Sequence, residues 1–367
     1  MTEEWRSAAQ RLTQALIDSG HLTEPVWQDA FRAVPRHACL PARTLDEAYA
    51  DDVVLTQTRT ITLPSGATVE VPTSSSSAPS LMAVMLERLD LSDGMTVLEI
   101  GVGTGYNAAL LCHRLGDHNV TSVDIDLGLV DTAREALARL GRRPTLATAD
   151  GYHGHLPRAP YHRIIATCAV THVPPAWIRQ LAPGGRIVAP LAMDGYPLAV
   201  LDKTSDDEVT GHFEPECAAF MPLRHNLDTP APTGAAIPDL TGVGHHGMTD
   251  VDPAPLTDAP TDLRLFLALY LPGVSVSADQ DGGGPRVTVS TPHGHADVWQ
   301  TPDQSGRRPV VQHGQRIWDT AEHALRVWEQ LGKPNRARYG ISALDQPGRQ
   351  CVWLDQPDSP YAWPLGG

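Results

Sequence analysis

A glycine-rich turn between an apolar run and a helix-like run limits the fold of this chain more than any other feature. The stretch TVLEIGVGTGYNAALLC (96–112) places Gly101, Gly103 and Gly105 directly after four residues typical of a buried strand. Glycine permits a sharp turn and the close approach of a ligand, and the helix that follows offers unpaired amide donors. The turn alone is a weak indicator, because many α/β proteins join strand and helix in this way.

Strand-like and helix-like segments alternate after this turn, in the order VTSVDI, LVDTAREALARLG, PTLATAD, YHRIIATCA, PAWIRQLAPGG and RIVAPL. Such alternation predicts a parallel sheet covered by helices on both faces. Upstream, apolar positions at helical spacing predict two short helices within 5–34 and a third over Pro79–Leu89. The segment between them is irregular, and PSGA (64–67) is typical of a hairpin turn. The fold class is therefore predicted to be α/β.

Composition divides the 367 residues into three parts. Residues 1–226 carry the α/β pattern and are predicted to form the catalytic domain. Residues 227–260 are rich in proline, aspartate and threonine, which predicts a linker. Residues 261–367 resume strand and helix patterns and are predicted to form a small C-terminal α/β domain.

Charge and cysteine content narrow the class of protein. The formal net charge of −15 argues against a nucleic-acid or anionic-membrane partner. The five cysteines are scattered without a CxxC pair, which favours reduced thiols over disulfides or a zinc site. No apolar run reaches membrane-spanning length, so we expect a cytoplasmic protein. No metal site is predicted, and the histidines of HGH (293–295) and His313 are interpreted as solvated loop residues.

Carboxylates stand at the ends of three successive predicted strands. Glu99 lies two residues before Gly101, Asp124 follows Gly101 by 23 positions, and Asp150 is followed by Gly151. The carboxyl ends of parallel strands meet at one edge of a sheet, where α/β proteins bind ligands. Asp124 has the spacing expected of a carboxylate that binds ribose hydroxyls.

The choice of cofactor depends on the spacing of the glycines. A pyrophosphate is usually bound by GxGxxG, whereas this chain has GxGxG with a carboxylate just upstream. That arrangement suits S-adenosyl-L-methionine, which has an ammonium group and no phosphates, better than NAD. Asp126 is interpreted as a helix-capping or solvated acid. The predicted cofactor-binding residues are Glu99, Gly101, Gly103, Gly105, Asp124, Asp150 and Gly151.

Residues 10–226 resemble the protein-L-isoaspartate O-methyltransferases. The similar stretches are AFRAVPRHACLP, AYADD, SAPSLMAVMLERLDLSDGMTVLEIGVGTGYNAALL, ADGYHG, HVPPAWIRQLAPGGRIVAPL and AAFMPLR, in the family's order. The resemblance covers roughly three fifths of the chain, leaves the C-terminal hundred residues outside, and implies a Rossmann-like S-adenosylmethionine-dependent methyltransferase fold. The segment before the serines, DDVVLTQTRTITLPSGATVEVPT (51–73), is longer than in the family. Together with the C-terminal extension, it resembles a subgroup of the family found with graspetide and lanthipeptide biosynthesis, which forms aspartimide.

The serine segment (Thr73–Ser77) precedes a proline and a predicted helix. The resemblance places Ser77 on the family's active-site serine and Ser75 on its threonine, so both are expected to be catalytic by orienting a carboxylate. Thr73, Ser74 and Ser76 replace a glycine, a glutamine and a hydrophobic residue, and are expected to bind substrate in a rebuilt loop. A flexible linker is the alternative interpretation. His37 is expected on the substrate side, with a packing role as its alternative.

The resemblance implies an O-methyltransferase that esterifies an aspartate of a modified ribosomal peptide precursor. The neighbouring amide then closes an aspartimide, which persists or opens to isoaspartate. The expected partner is a cross-linked, Asp-containing precursor peptide, recognised by the C-terminal domain. The alternatives are the repair methyltransferase of isoaspartyl residues in damaged proteins and a non-catalytic peptide-binding scaffold, which the three carboxylates disfavour.

Overall fold

The computed structural model describes residues 3–63, 66–225, 244–281, 284–346 and 348–365. Its helices are α1 (Glu4–Asp18), α2 (Pro25–Ala33), α3 (Leu45–Ala48), α4 (Pro79–Arg88), α5 (Tyr106–Leu115), α6 (Leu127–Arg139), α7 (Pro175–Gln180), α8 (Thr261–Tyr270) and α9 (Ile317–Gln330). Its strands are β1 (Val54–Thr62), β2 (Thr68–Ser76), β3 (Val97–Ile100), β4 (Val120–Asp124), β5 (Thr145–Thr148), β6 (Tyr161–Ala166), β7 (Leu181–Pro190), β8 (Pro197–Lys203), β9 (Glu208–Cys217), β10 (His245–Thr249), β11 (Ser275–Asp281), β12 (Gly284–Thr291), β13 (Gly294–Trp299), β14 (Arg308–Gly314), β15 (Tyr339–Leu344), β16 (Gln350–Leu354) and β17 (Ala362–Pro364).

A ten-stranded sheet forms the centre of the molecule, in the order β17-β16-β15-β9-β8-β7-β6-β3-β4-β5. The pairs among β5, β4, β3, β6 and β7 are parallel, and those from β7 to β17 are antiparallel. All four residues of β3 are buried, as expected for a strand covered on both faces. The chain leaves β3 in one direction through β4 and β5 and returns on its other side as β6, so the carboxyl end of β3 is a topological switch point. The predicted Rossmann-like fold is confirmed.

The strands of the C-terminal region belong to two different sheets, whereas the sequence predicted one small separate domain. Strands β15, β16 and β17 extend the central sheet, because β15 pairs with β9 in the register Gly340↔His212 to Leu344↔Glu208. Strands β10 to β14 form a second, five-stranded antiparallel sheet. Strand β10 lies inside the predicted linker and pairs with β14, while residues 226–243 of that linker lie outside the described residues. The predicted boundaries at 226 and 260 therefore do not coincide with the sheets.

The N-terminal part contains the two predicted helices, α1 and α2, followed by a hairpin. Strands β1 and β2 pair antiparallel from Val54↔Ser76 to Thr62↔Thr68, so the predicted hairpin is confirmed. The serine segment is not a loop, because residues up to Ser76 belong to β2 and only Ser77 lies beyond it. Ser74 and Ser76 are buried, whereas Ser75 is half-buried, which is the alternation expected of a strand.

The structure bears on the predictions about the cysteines, membrane-spanning segments and metal sites. All five cysteines are free. In the described ranges no helix is long and apolar enough to cross a membrane, and no group of three or more His, Cys, Asp or Glu residues is arranged to hold a metal. His295 and His313 differ from the prediction of loop histidines, because they are paired residues of β13 and β14 whose rings stack at 4.8 Å.

Candidate active site

A cavity of about 280 Å³ lies at the carboxyl end of β3, where the topology places a ligand site. The end of β2 with the turn into α4 (71–78) and the glycine turn (100–104) both line it. The ends of β4 and β6 and a segment over residues 219–224 complete the lining. The serine segment and the glycine turn are neighbours, since a Cβ on Gly103 would lie 3.7 Å from the carbonyl oxygen of Ser75.

The glycine turn depends on conformations that other residues rarely adopt. Gly101 has φ +97°, and its carbonyl oxygen accepts a hydrogen bond of 2.7 Å from Thr167 Oγ1. A Cβ on Gly101 would lie 2.7 Å from Thr167 Oγ1, so no side chain fits at this position. Gly103 has φ +48° and donates its amide to Asp124 Oδ2 at 3.1 Å. Both glycines line the cavity, where the sequence predicted them.

Gly105 does not line the cavity. It caps the N-terminus of α5 with φ +82°, and a Cβ there would meet the Cβ of Ala133 in α6 at 3.2 Å. The third glycine therefore allows α5 and α6 to pack closely, instead of the predicted contact with a cofactor.

Asp124 lies on the cavity wall at the end of β4, as predicted. Its carboxylate accepts the amides of Gly103 and Asp126, each at 3.1 Å. Burial raises the pKa of Asp124, and the charge of Arg224 across the cavity opposes that shift. A carboxylate can accept about four hydrogen bonds, so Asp124 retains acceptor capacity for hydroxyl groups. Asp126 caps α6 by accepting the amide of Gly128 at 2.8 Å, in agreement with its interpretation as a capping acid.

Asp150 and Gly151 have different positions. Gly151 lines the cavity, and a Cβ on it would overlap the side chain of Ile100. Asp150 does not line it, because its carboxylate accepts the amide of Tyr152 at 2.9 Å and contacts Nδ1 of His225 at 3.2 Å. Asp150 therefore shapes the turn that carries Gly151.

Glu99 differs from the prediction that it contacts the cofactor. The residue is fully buried beneath the cavity and does not line it. Its carboxylate accepts hydrogen bonds from Asn107 Nδ2, at 2.8 Å, and from the hydroxyl of Ser122. Burial raises the pKa of the Glu99 carboxyl from 4.5 to about 7, and these two donors oppose that shift. Since Asn107 lines the cavity, Glu99 acts on the site by orienting Asn107.

We expect Glu99→Gln to change stability more than cofactor binding. The folded carboxyl keeps its proton up to about pH 7, whereas the unfolded chain releases it near 4.5. The free energy of unfolding of the wild type should therefore fall, relative to that of the variant, as pH rises from 4.5 to 7. The full difference is about 3 kcal/mol, because one pKa unit corresponds to about 1.4 kcal/mol. Urea unfolding at several pH values measures it.

Cofactor binding provides the control for the same variant. The affinity of Glu99→Gln for S-adenosylhomocysteine should stay within about threefold of the wild type, since Glu99 does not line the cavity and the glutamine oxygen can still accept the hydrogen bond from Asn107. A loss of 100-fold or more would contradict this placement and restore the predicted contact with an ammonium group.

The serine segment separates into engaged and free hydroxyls. Thr73 donates to Gln57 Oε1 at 2.7 Å, and Ser74 accepts from Thr56 at 3.1 Å, so both are held inside the hairpin. Within the part of the chain that the structure describes, the hydroxyls of Ser75 and Ser77 form no hydrogen bond with another residue. All five residues, Thr73, Ser74, Ser75, Ser76 and Ser77, line the cavity. Among the described residues the hydroxyl of Ser76 forms no hydrogen bond either, and that of Ser74 only accepts, so Ser74, Ser75, Ser76 and Ser77 can all donate to a ligand. The family resemblance is what distinguishes Ser75 and Ser77 among them.

His37 does not line the cavity. Its Nδ1 lies 3.0 Å from the hydroxyl of Tyr49, and its ring packs against Trp5 with centroids 5.6 Å apart. Burial lowers the pKa of His37. The packing interpretation is thus the one that fits the structure, and the substrate contact does not.

Several cavity residues were missed by sequence reasoning. Asn107 follows the glycine turn directly, and its polarity on an otherwise apolar helix was a usable signal. Thr167 comes from a segment with no local motif, whereas Phe220 and Arg224 belong to AAFMPLR, a stretch of the family resemblance to which no site role was given. The pairing of Ala169 with Pro222 brings that stretch beside the end of β6.

Comparison with known proteins assigns the family. A family model described as "Protein-L-isoaspartate(D-aspartate) O-methyltransferase (PCMT)" matches residues 7–228, more than half of the chain. The chain belongs to this family. Its members include a protein-L-isoaspartate O-methyltransferase of Methanopyrus kandleri, which is 34% identical over 223 residues, 60% of this chain and 92% of that protein. Protein-L-isoaspartate O-methyltransferase 1 of Rhodopseudomonas palustris is 33% identical over 258 residues, covering 70% and 91%.

Family membership confirms the predicted class of enzyme and its cofactor. The protein is an S-adenosylmethionine-dependent carboxyl O-methyltransferase that acts on proteins or peptides. A solved structure named protein-L-isoaspartate O-methyltransferase has the same fold, with a TM-score of 0.52 at 23% identity. That likeness covers 92% of this chain and 96% of the other. The C-terminal region, which the sequence placed outside the ordinary family, therefore has a counterpart in a protein of that name.

Proposed function

We propose that this enzyme methylates the side-chain carboxylate of isoaspartyl residues in proteins. The observation that carries this proposal is the position of Ser77, which lines the same cavity as the glycine turn in a chain that matches the isoaspartyl methyltransferase model over residues 7–228. The named relatives act as protein-L-isoaspartate O-methyltransferases, which gives the substrate class.

The residues of the cavity fit S-adenosylmethionine. The close approach at Gly101 and Gly103 leaves room for the backbone to contact a ligand, and Asp124 can accept hydrogen bonds from ribose hydroxyls. Gly151 and Ile125 also line this cavity and could contact the cofactor. The bound cofactor supplies a methyl group on a sulfonium.

Methyl transfer to a carboxylate requires orientation more than proton transfer. A carboxyl group with a pKa near 4 is ionised at neutral pH, so no general base is needed. The Ser77 and Ser75 hydroxyls donate to the acceptor carboxylate and hold it in line with the methyl group. Donors without a full charge suit this step, because the negative charge of the nucleophile disappears as the ester forms.

A second candidate is methylation of an ordinary aspartate in a modified ribosomal peptide precursor, which leads to aspartimide and then, on opening, to isoaspartate. The observation that favours it is the serine segment, in which Thr73, Ser74 and Ser76 replace the family's glycine, glutamine and hydrophobic residue. These replacements change the wall that contacts the substrate. The expected partner of this reaction is a cross-linked, Asp-containing precursor.

The C-terminal region is proposed to bind the polypeptide that flanks the acceptor residue. A second cavity of about 1090 Å³ lies between the central sheet and this region, lined by Leu191, Tyr196 and Leu267 among others. Phe220 and Pro222 line both cavities, so the two are adjacent. A largely apolar groove that continues from the acceptor site suits an extended peptide with apolar side chains.

A panel of matched peptides tests the proposed function. The wild-type enzyme is incubated with methyl-labelled S-adenosylmethionine and peptides that differ only in an isoaspartyl, aspartyl or asparaginyl residue, and with a cross-linked Asp-containing precursor. We expect label on the isoaspartyl peptide and none on the asparaginyl control, with KM falling as the peptide is lengthened to reach the second cavity. Label on the aspartyl substrates alone would replace the first candidate by the second, and no label on any would refute both.

A further inference from the structure

Arg36 is a fully buried cation beside the candidate acceptor wall, and neither the sequence interpretation nor the family match assigns it a role. Its exposed fraction is 0%. Among the described residues no carboxylate forms an ion pair with it, and its Nε has no hydrogen-bond partner. Burial of an unpaired charge is strongly unfavourable, so a charge retained in such a place needs an explanation.

The contacts of Arg36 join two segments that line the cavity. Its Nη2 donates to the carbonyl oxygen of Ser77 at 3.0 Å, and its Nη1 lies 3.5 Å from Met82 Sδ in α4. Its guanidinium lies over the ring of Tyr106, 5.2 Å from the centroid. Tyr106 is the first residue of α5 after the glycine turn and lines the cavity. One side chain therefore connects the end of the serine segment with the helix that follows the glycine turn.

The carboxylate of Asp51 acts electrostatically on Arg36 but is engaged elsewhere. Its Oδ1 accepts the amide of Ser80 at 2.8 Å and so caps the first turn of α4. The positive charge of Arg36 is thus only partly balanced by the protein.

The partly balanced positive charge of Arg36 can attract the methyl acceptor into the cavity. The methyl acceptor is a carboxylate that must approach a protein of net charge −15 and enter a cavity that contains Asp124. A buried cation acts through a medium of low dielectric constant and keeps its effect over several ångströms. Because Arg36 acts through the Ser77 peptide, it attracts the acceptor without forming an ion pair that would hold the nucleophile too strongly.

We propose that Arg36 is a positioning residue, which fixes the Ser77 peptide so that its hydroxyl faces the acceptor and whose charge selects an anionic acceptor. This inference rests on the proposed carboxyl methylation at Ser77. It differs from a purely structural role, because it predicts an effect on acceptor binding in a protein that is folded and binds cofactor normally.

The test compares Arg36→Met and Arg36→Lys with Arg163→Met. Arg163 is a matched control, because it is also buried and donates to backbone carbonyls, those of Leu89, Asp90 and His162 near the far end of α4, away from the cavity. Steady-state KM and kcat for an isoaspartyl peptide, the Kd of S-adenosylhomocysteine and the thermal midpoint are measured for each variant.

We expect Arg36→Met to fold, since a hydrophobic replacement of an unpaired buried charge is often neutral or stabilising. Its KM for the acceptor should rise about tenfold or more, which corresponds to the loss of a hydrogen bond to a charged donor. Its kcat and its Kd for S-adenosylhomocysteine should change less than about threefold by the same reasoning. Arg36→Lys, which retains the charge, should recover part of the loss, and Arg163→Met should keep the wild-type KM.

A wild-type KM in Arg36→Met would overturn the inference, and so would an equal rise of KM in Arg163→Met. If Arg36→Met does not fold, the KM of Arg36→Lys decides, and a value equal to that of the wild type overturns the inference. Each of these results would overturn the inference about Arg36 while the wild-type enzyme still methylates its substrate. A wild-type enzyme that methylates no carboxylate would instead refute both the proposed function and this inference.

Discussion

Replacing Ser77 by alanine is expected to lower kcat/KM for the acceptor peptide by about 100-fold, which is the usual effect of removing a hydrogen bond to a charged group at a reacting centre. The affinity for S-adenosylhomocysteine should not change, because the Ser77 hydroxyl is proposed to contact the acceptor carboxylate and not the cofactor. The backbone of Ser77 is held by Arg36 through its carbonyl oxygen, which alanine retains. Turnover of labelled cofactor and calorimetric titration of S-adenosylhomocysteine measure the two quantities.

Ser80→Ala is the matched control for this variant. Ser80 lies three residues further on, in the first turn of α4, and contributes its backbone amide to Asp51 but does not line the cavity. Its replacement should leave kcat/KM within about twofold of the wild type, as is usual for a surface substitution. Loss of cofactor binding in Ser77→Ala would show that Ser77 contacts the cofactor and that the acceptor wall lies elsewhere.

Gly101→Ala is expected to weaken the binding of S-adenosylhomocysteine by 100-fold or more, that is, by about 3 kcal/mol. A Cβ would lie 2.7 Å from Thr167 Oγ1, and that hydroxyl cannot easily withdraw because its single proton is held between the carbonyl oxygens of Ile100 and Gly101, at 3.0 and 2.7 Å. The glycine turn would have to move away from β6, and the cofactor contacts would move with it. Equilibrium titration with the folded variant measures the loss.

The variant Gly141→Ala is the control for Gly101→Ala. It shows the effect of backbone strain without the steric clash. Gly141 has φ +71° at the end of α6, and a Cβ there would meet nothing within 4 Å. This variant should lose about 1 kcal/mol of stability from the left-handed conformation and keep wild-type cofactor affinity. If Gly101→Ala also kept wild-type affinity, the glycine turn would not be the cofactor wall.

The edge of the sheet where the cavity lies could be predicted from sequence because its signals are local. A glycine turn after a buried strand and a carboxylate at the end of the next strand are short patterns, and the rules of parallel sheets bring them together. Gly101, Gly103 and Asp124 accordingly line the cavity. Ser77 was located by its resemblance to a family pattern, and it lines the same cavity.

The direction of a buried side chain could not be predicted. Strand β3 is covered on both faces, so its sequence has no polar and apolar alternation that would show which face Glu99 occupies. Its partners, Asn107 and Ser122, belong to α5 and β4, and their packing turns the carboxylate away from the cavity. The neighbours Arg36 and His37 also point in different directions, which the sequence does not show. His37 packs against Tyr49, whereas Arg36 donates to the Ser77 carbonyl oxygen.

Local sequence was enough to predict the α/β class, the position of the glycine turn and the edge of the sheet where the cavity lies, because each follows from residues close together in the chain. Three features became visible in the folded molecule alone: the serine segment ends a strand, β15 to β17 complete the central sheet, and Arg36 lies without an ion pair beside Ser77. Those features depend on contacts between distant segments, such as the pairing of β15 with β9, more than 120 residues apart in the chain. Such pairings are selected by the total burial of the folded molecule, which no local pattern encodes.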